Sequence, residues 1–205
     1  MLQQGDIVRI AMALHDLPAT RKSATTSRIK NFLKLDFPSI TAVGTGDRAD
    51  YTAVHAVQLL IGFELLRFRM PPNVIVAVVN SSWPTIAGAF GDAARTLRAQ
   101  GAGQEPGGER TLLSVDSRAL HETGKTVTPR GLKSSVEVVK ATALATAIGS
   151  APGGFRSGLI IDPTFMLERV LEALPKLRRP MEGDVLLREI ARWKSKTVAV
   201  ANDAD

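Results

Sequence analysis

The residues best suited to contact a polyanion lie in one short stretch near the start of the chain. Between Pro18 and Leu35 every charged side chain is a lysine or an arginine. Basic side chains neutralise phosphates, and short polar side chains can read base edges in the major groove of DNA. We therefore predict a nucleic-acid-docking surface, and the residues assigned to it are Arg21, Lys22, Thr25, Thr26, Ser27, Arg28, Lys30, Asn31, Lys34 and Arg48.

Within this set, the residue types suggest two roles. Thr25, Thr26, Ser27, Arg28 and Asn31 have the polar groups that base readout needs. The side chains of Lys22, Lys30, Lys34 and Arg48 can neutralise phosphates, and Gly44 and Gly46 would let a turn approach the sugar-phosphate backbone because glycine has no Cβ. The alternative is that the basic residues form only a solvated helix face. The aromatic content of 5% argues against a surface that stacks single-stranded bases.

Enzymatic chemistry has weaker support in the sequence. The histidines are His15, His55 and His121, and a cluster of His121 and Glu122 with Asp116 and Asp162 is conceivable as an acid–base or metal site. Nothing in their spacing brings these residues together, and His55 falls beside core positions of a predicted helix. The chain has no cysteine and no Gly-Lys-Ser/Thr phosphate loop, and Gly44-Thr45-Gly46 lacks the third glycine of a dinucleotide fingerprint. We expect neither an enzyme nor a bound metal or cofactor.

Periodicity predicts the elements that must position the basic stretch. Apolar residues over Asp6–Leu14 favour a first helix, and a second helix is predicted from a cap at Thr25 or Thr26 to about Leu35. Its inward side chains would be Ile29, Phe32 and Leu33. Residues 40–52 then suggest a small hairpin: a β-prone run over 40–43, a glycine turn over 44–48, and a return strand at 51–52.

Further helices are predicted over Ala53–Met70, with Thr52 as its cap, over Asn73–Asn80, and from Pro84 to about Gln100. Beyond them, the sequence predicts strands over Arg110–Leu120 and Phe155–Ile161 and helices over Ser134–Ile148, Pro163–Leu177 and Val185–Trp193. We expect Trp83 and Trp193 to pack within the protein. The Gly-rich residues 101–109 are predicted to be a linker between a domain of residues 1–100 and a small α/β domain of residues 110–205.

The order of the N-terminal elements resembles the winged helix-turn-helix domain of the MerR family. Ser23 to Leu35 is similar to its recognition helix, Gly46 to Tyr51 to its glycine, arginine and tyrosine wing, and Val54 to Val79 to its following helix pair. The resemblance covers about residues 5–83 and implies a mainly α fold that binds DNA. The cysteines of metal-sensing members are absent, and the loop between the first two helices is longer than usual in that family, so the resemblance suggests a divergent, phage-type regulator.

Composition agrees with an anionic partner, because the formal charge is +6 and the sequence pI is near 10.0. No signal-peptide pattern and no apolar run of about 18 residues is evident, so we expect a cytoplasmic protein without membrane contact. The predicted function is sequence-specific binding of double-stranded DNA by a homodimeric transcriptional regulator. The alternatives are a DNA-packaging or recombination accessory protein, and a small-molecule sensor or enzyme that uses residues 110–177.

Overall fold

The computed structural model describes residues 2–39, 50–104, 109–116, 136–149, 158–177 and 180–193. This part of the chain is mainly helical with a small sheet, as the sequence predicted. Two 3-10 turns cover Ala19–Arg21 and Leu174–Lys176. The helices are α1 Gln4–Leu14, α2 Lys22–Leu33, α3 Ala53–Arg67, α4 Pro72–Ser81, α5 Trp83–Gly101, α6 Ala141–Gly149, α7 Pro163–Ala173 and α8 Gly183–Ala191.

The strands form two separate antiparallel sheets. In the first, β1 (Leu2–Gln3) pairs with β2 (Asp50–Tyr51), so the start of the chain lies beside the end of the predicted wing. The second has the order β4 (Val136–Lys140), β3 (Thr111–Asp116), β5 (Gly158–Ile161), and Leu113 on the central strand pairs with Val138 and Ile161. Residues 40–49, which carry the rest of the predicted hairpin, lie outside the described residues.

The start of α2 differs from the prediction. The helix begins at Lys22, so neither Thr25 nor Thr26 is its cap. Instead, the Thr25 hydroxyl donates a hydrogen bond to the carbonyl of Arg21 (3.0 Å), and that of Thr26 donates to the carbonyl of Lys22 (2.9 Å). A threonine hydroxyl inside a helix commonly makes this bond to the preceding turn.

The α3–α5 region follows the prediction closely. Thr52 caps α3 by accepting a hydrogen bond from the backbone N–H of His55 (3.3 Å), and the apolar run after Pro71 and Pro72 is helical rather than extended. No single helix in the described ranges is long and apolar enough to cross a membrane; α4 and α5 pass that test only as a pair, which is bent by 73°.

One prediction in the second half was wrong. Residues 134–148 were expected to form one helix, but Val136–Lys140 is strand β4 and only Ala141–Gly149 is helical. Val136, Val138 and Val139 are β-branched, and such residues pack well on a pleated surface. Their pairing with β3 outweighs the helical signal of the alanines that follow.

The core does not divide at the Gly-rich stretch. A single cluster of buried apolar residues includes Ile7 and Phe90 from the first half and Leu167 and Ile190 from the second. Helix α7 packs against α1 and α5, and α8 packs against α5. Buried residues on both sides of the Gly-rich stretch therefore belong to one cluster, and α5 itself extends to Gly101; the division into domains of residues 1–100 and 110–205 stays a prediction.

Candidate nucleic-acid interface

Helix α2 presents a buried side and a basic, exposed side. Thr25, Ile29 and Phe32 are at most 1% exposed, which confirms the inward positions predicted for Ile29 and Phe32; Leu33 is half-buried. The exposed side chains on α2 and its flanks include Arg21, Lys22, Ser27, Arg28, Lys30, Asn31 and Lys34, and Thr26 is half-buried. A helix with this division can keep its inner side in the core while its outer side meets a partner.

The inner side of α2 is fixed by aromatic packing. The ring of Phe32 lies 5.5 Å from that of Phe37 and 6.2 Å, edge-on, from that of Phe63. Gly62 on α3 provides the space for this ring, because a Cβ at that position would lie 3.0 Å from Cζ of Phe32. These contacts hold α2 in one position against α3, as a rigid platform for its outer side chains.

The lysines follow one row along the exposed side. Lys22, Thr26, Lys30 and Lys34 are spaced by four residues, so they lie above one another on the same strip of the helix. A shallow surface groove runs beside the first part of this row, and its lining residues are Ala19, Thr20, Lys22, Ser23, Thr26, Ser27 and Lys30. The groove therefore combines lysine ammonium groups with short hydroxyl side chains.

Arg28 lies on the opposite flank of α2, near a cluster of charged groups that sequence reasoning missed. In this cluster the Nδ1 atom of His15 lies 3.4 Å from a carboxylate oxygen of Glu64 and 3.5 Å from a guanidinium nitrogen of Arg67. Arg67 also contacts Glu64 at 3.3 Å. No local spacing connects His15 with α3, so the sequence alone does not predict this contact.

Burial determines the charge of His15. The side chain is 4% exposed, and this desolvation, together with the positive charges of Arg67 and Arg28, lowers the pKa of His15 to about 4, although Asp16 acts in the opposite direction. At neutral pH the ring is therefore uncharged, so its 3.4 Å contact with Glu64 is not an ion pair, and its Nδ1 atom can accept a hydrogen bond from Arg67. The positive charge on this flank of α2 therefore comes from Arg28 and Arg67.

In the described part of the chain, no acidic side chain pairs with the charges of the α2 surface. Within the described residues, Arg21, Lys22, Arg28, Lys30 and Lys34 form no ion pair. Their placement is also unfavourable for an isolated helix. Arg21 and Lys22 lie at the positive end of the helix dipole, which costs about 0.3–1 kcal/mol each, and the like charges of Lys30 and Lys34 cost about 0.2–0.5 kcal/mol. A polyanion against this side would reverse both effects.

Two of the predicted contact residues, Thr25 and Arg48, do not belong to the described surface of α2. Thr25 is 1% exposed, and its hydroxyl is hydrogen-bonded within the helix, so its side chain does not reach the surface and its assignment to base contact is corrected. Arg48 lies outside the described residues. The other eight assigned residues lie on the outer side of α2 or directly beside it.

The alternative catalytic residues do not assemble where they are described. His55 has its backbone N–H and Nδ1 engaged with Thr52 in the cap of α3, and partial burial lowers its pKa. Asp162 caps α7 and pairs with Arg110, while His121 and Glu122 lie outside the described residues. In the described ranges no group of three or more acidic, histidine or cysteine side chains could hold a metal ion.

Comparison with known proteins gives no relative on which a function could be based. No protein-family model, no curated protein and no solved structure matches the chain. The interpretation of the α2 surface therefore depends on its own geometry and charge.

Proposed function

We propose that the protein binds double-stranded DNA in a sequence-specific manner through α2, as a transcriptional regulator with a MerR-like winged helix-turn-helix domain. One observation carries the proposal: basic side chains without an ion pair among the described residues cover the outer side of a helix whose inner side is fixed in the core. A helix of this size fits the major groove, where Arg28, Asn31 and Ser27 have the groups to read base edges.

The proposed binding unit is a homodimer. The 12 residues of α2 span about 18 Å, roughly half of one helical turn of B-DNA. A readout this short gives little discrimination, and two copies related by a two-fold axis would read a palindromic site. The lysine row and Arg48 would then contact the phosphates on either side of each groove.

Salt dependence of binding tests the lysine row. Each lysine that neutralises a phosphate contributes about 0.9 to the slope of log K against log salt. We expect Lys30→Ala to lower this slope by about 0.9 for a labelled duplex followed by fluorescence anisotropy. Lys176→Ala is the matched control, since Lys176 is exposed on the 3-10 turn after α7 and carries the same charge.

Equal slopes for the two variants would mean that the net charge, and not α2, attracts DNA. A wild-type protein that ignores duplexes at low salt would refute the proposal altogether. Sequence specificity is tested separately by selection from a random duplex library. Arg28→Ala and Asn31→Ala should relax the base preference at individual positions by about 1–3 kcal/mol without unfolding the protein.

A further inference from the structure

A cavity of about 160 Å³ lies where α5, β3 and α7 meet. Its principal lining side chains are Asp92, Thr96, Arg110, Thr111, Thr164 and Glu168. The volume equals that of about five water molecules and is well below the roughly 300 Å³ at which drug-sized sites begin. No residue of α2 contributes to it, so the cavity is separate from the candidate nucleic-acid interface.

Regular spacing on two helices builds the walls. Asp92 and Thr96 are four residues apart on α5, and Thr164 and Glu168 are four residues apart on α7, so each pair lies on one side of its helix. Ala93, 2% exposed, lies between these walls and keeps them close. The cavity is therefore formed by rigid elements.

The lining carries a positive group, Arg110. The guanidinium of Arg110 is held by Asp162, with 2.8 Å between Nη2 and Oδ2. Asp162 also accepts a hydrogen bond from the backbone N–H of Phe165 (3.1 Å), which fixes it at the start of α7. A guanidinium has five N–H donors, so Arg110 retains donors for a ligand, and the N-terminal end of α7 adds its positive dipole.

The lining also carries negative charge. The carboxylate of Asp92 forms an ion pair with Arg95, which lies one turn further along α5. Glu168 is exposed and has no ion pair among the described residues. Its carboxylate can therefore accept hydrogen bonds from an ammonium group without breaking an existing pair.

Two nearly buried hydroxyl groups complete the lining. Thr111 is 5% exposed, and its Oγ1 accepts a hydrogen bond from Nζ of Lys140 (3.0 Å), which leaves the hydroxyl hydrogen to donate. Thr164 is 8% exposed, and its side chain also lines the cavity. A threonine hydroxyl can both donate and accept a hydrogen bond, so these two side chains add polar groups that a ligand in the cavity can use.

We propose that this cavity binds a small zwitterion, an α-amino acid with a short side chain. Its carboxylate would lie against Arg110 and the Thr164 hydroxyl at the N-terminal end of α7, and its ammonium group against Glu168 and Asp92. A simple anion would meet the two carboxylates, and a simple cation would meet the guanidinium and the helix dipole. Only a ligand with both charges satisfies both kinds of charge in the lining.

The test uses L-alanine together with propionate and ethylamine, each of which keeps only one of its two charged groups. L-alanine at millimolar concentration should raise the Tm of the full chain through mass action, and titration calorimetry without DNA should give a Kd. Neither propionate nor ethylamine should do so. Equal binding of either half-analogue would overturn the proposal, and so would an absence of binding by L-alanine, glycine and L-serine.

Variants locate the binding to the cavity. Glu168→Gln, at an exposed position, should weaken L-alanine binding by about tenfold or more. Glu189→Gln on α8 is the control, because Glu189 is also exposed and lies outside the cavity lining. Thr164→Val tests the Thr164 hydroxyl in the same way. Unchanged affinity in Glu168→Gln would place the ligand elsewhere and refute this site, whatever the result with DNA.

Discussion

Burial controls the protonation of His15, which lies where α1, α2 and α3 meet. Its imidazole faces Glu64 and Arg67 from α3 and Arg28 from α2, and Asp16 follows it in the chain. Two guanidinium groups and loss of water disfavour the charged ring more than Asp16 favours it. The residue is therefore a neutral hydrogen-bonding group in the folded protein and an ordinary histidine in the unfolded chain.

The first prediction concerns the acid stability of the protein. The folded pKa of His15 is about 4 and the unfolded value is 6.5, so the unfolded state binds more protons as the pH falls between them. The free energy of unfolding should decrease over this window, by about 3 kcal/mol in total from this group. Urea denaturation at several pH values measures it.

His15→Gln should remove most of this dependence, since glutamine does not titrate. His55→Gln should remove less, because His55 is only partly buried. If the wild type and His15→Gln lose stability in parallel between pH 6.5 and 4, the ring is already charged in the folded state, and our account of its burial is wrong.

Residue-scale features were predictable only where local periodicity determines them. The inward positions of Ile29 and Phe32 follow from helical spacing, and the structure confirms them. Thr25 and Thr26 show the limit, because the same hydroxyl can cap a helix or bond to its preceding turn. The sequence does not distinguish these cases, so the buried Thr25 was assigned to a surface.

At the scale of elements, the position of α2 depends on how closely it approaches α3. Gly62 allows the Phe32 ring to enter a space that a Cβ would fill. Phe37 and Phe63 surround the same ring, so it has little room to move. The orientation of the basic side of α2 therefore depends on a glycine that carries no charge.

Gly62→Ala should destabilise the protein by about 1–3 kcal/mol, because the added methyl group overpacks the core. The matched control is Gly5→Ala in α1, where a Cβ meets nothing within 4 Å. That change should stabilise by at most about 0.5–1 kcal/mol, because Gly5 lies in the first turn of α1 and the full gain in helix propensity belongs to the middle of a helix. Urea denaturation of both variants checks the contrast, and two effects of the same sign would contradict it.

Element types followed from sequence where one signal dominated. Two prolines before the run 73–80 favour a helix start, and α4 is helical. In residues 134–148 a β-branched run precedes an alanine-rich run. The composition of the whole stretch favours a helix, although its first part forms a strand. Pairing with β3 determined the structure of this segment. Lys140 contacts Thr111, which lies 29 residues earlier in the chain, and no local sequence pattern contains such a contact.

At the scale of the whole molecule, the second half of the chain supports the first. Arg169 on α7 donates a hydrogen bond to the carbonyl of Ala13 (2.9 Å), at the end of α1, and contacts Asp16. Arg95 on α5 donates to the carbonyl of Trp193 (3.3 Å), beyond α8. These contacts join residues 156 and 98 positions apart, so neither could be predicted from local sequence.

The fragment of residues 1–104 should therefore not fold by itself. The fragment lacks α7 and α8, which cover α1 and α5 in the full chain. Apolar side chains of α1 and α5 that are buried in the full chain, among them Ile7, Phe90 and Ala94, would therefore be exposed. We expect poorly dispersed amide NMR signals from the fragment and well-dispersed signals from the full chain. A well-dispersed fragment spectrum would instead support the two-domain organisation predicted from the Gly-rich residues 101–109.

The contact between Trp83 and Trp193 gives the protein an intrinsic optical reporter. These are the two tryptophans of the chain, and their ring centroids lie 5.8 Å apart at an interplanar angle of 62°. Indole transition dipoles this close and this inclined couple as an exciton pair, which produces a bisignate ultraviolet signal. One ring begins α5 and the other follows α8, so the couplet would disappear whenever α8 leaves α5, and stopped-flow spectroscopy could time that separation without any label.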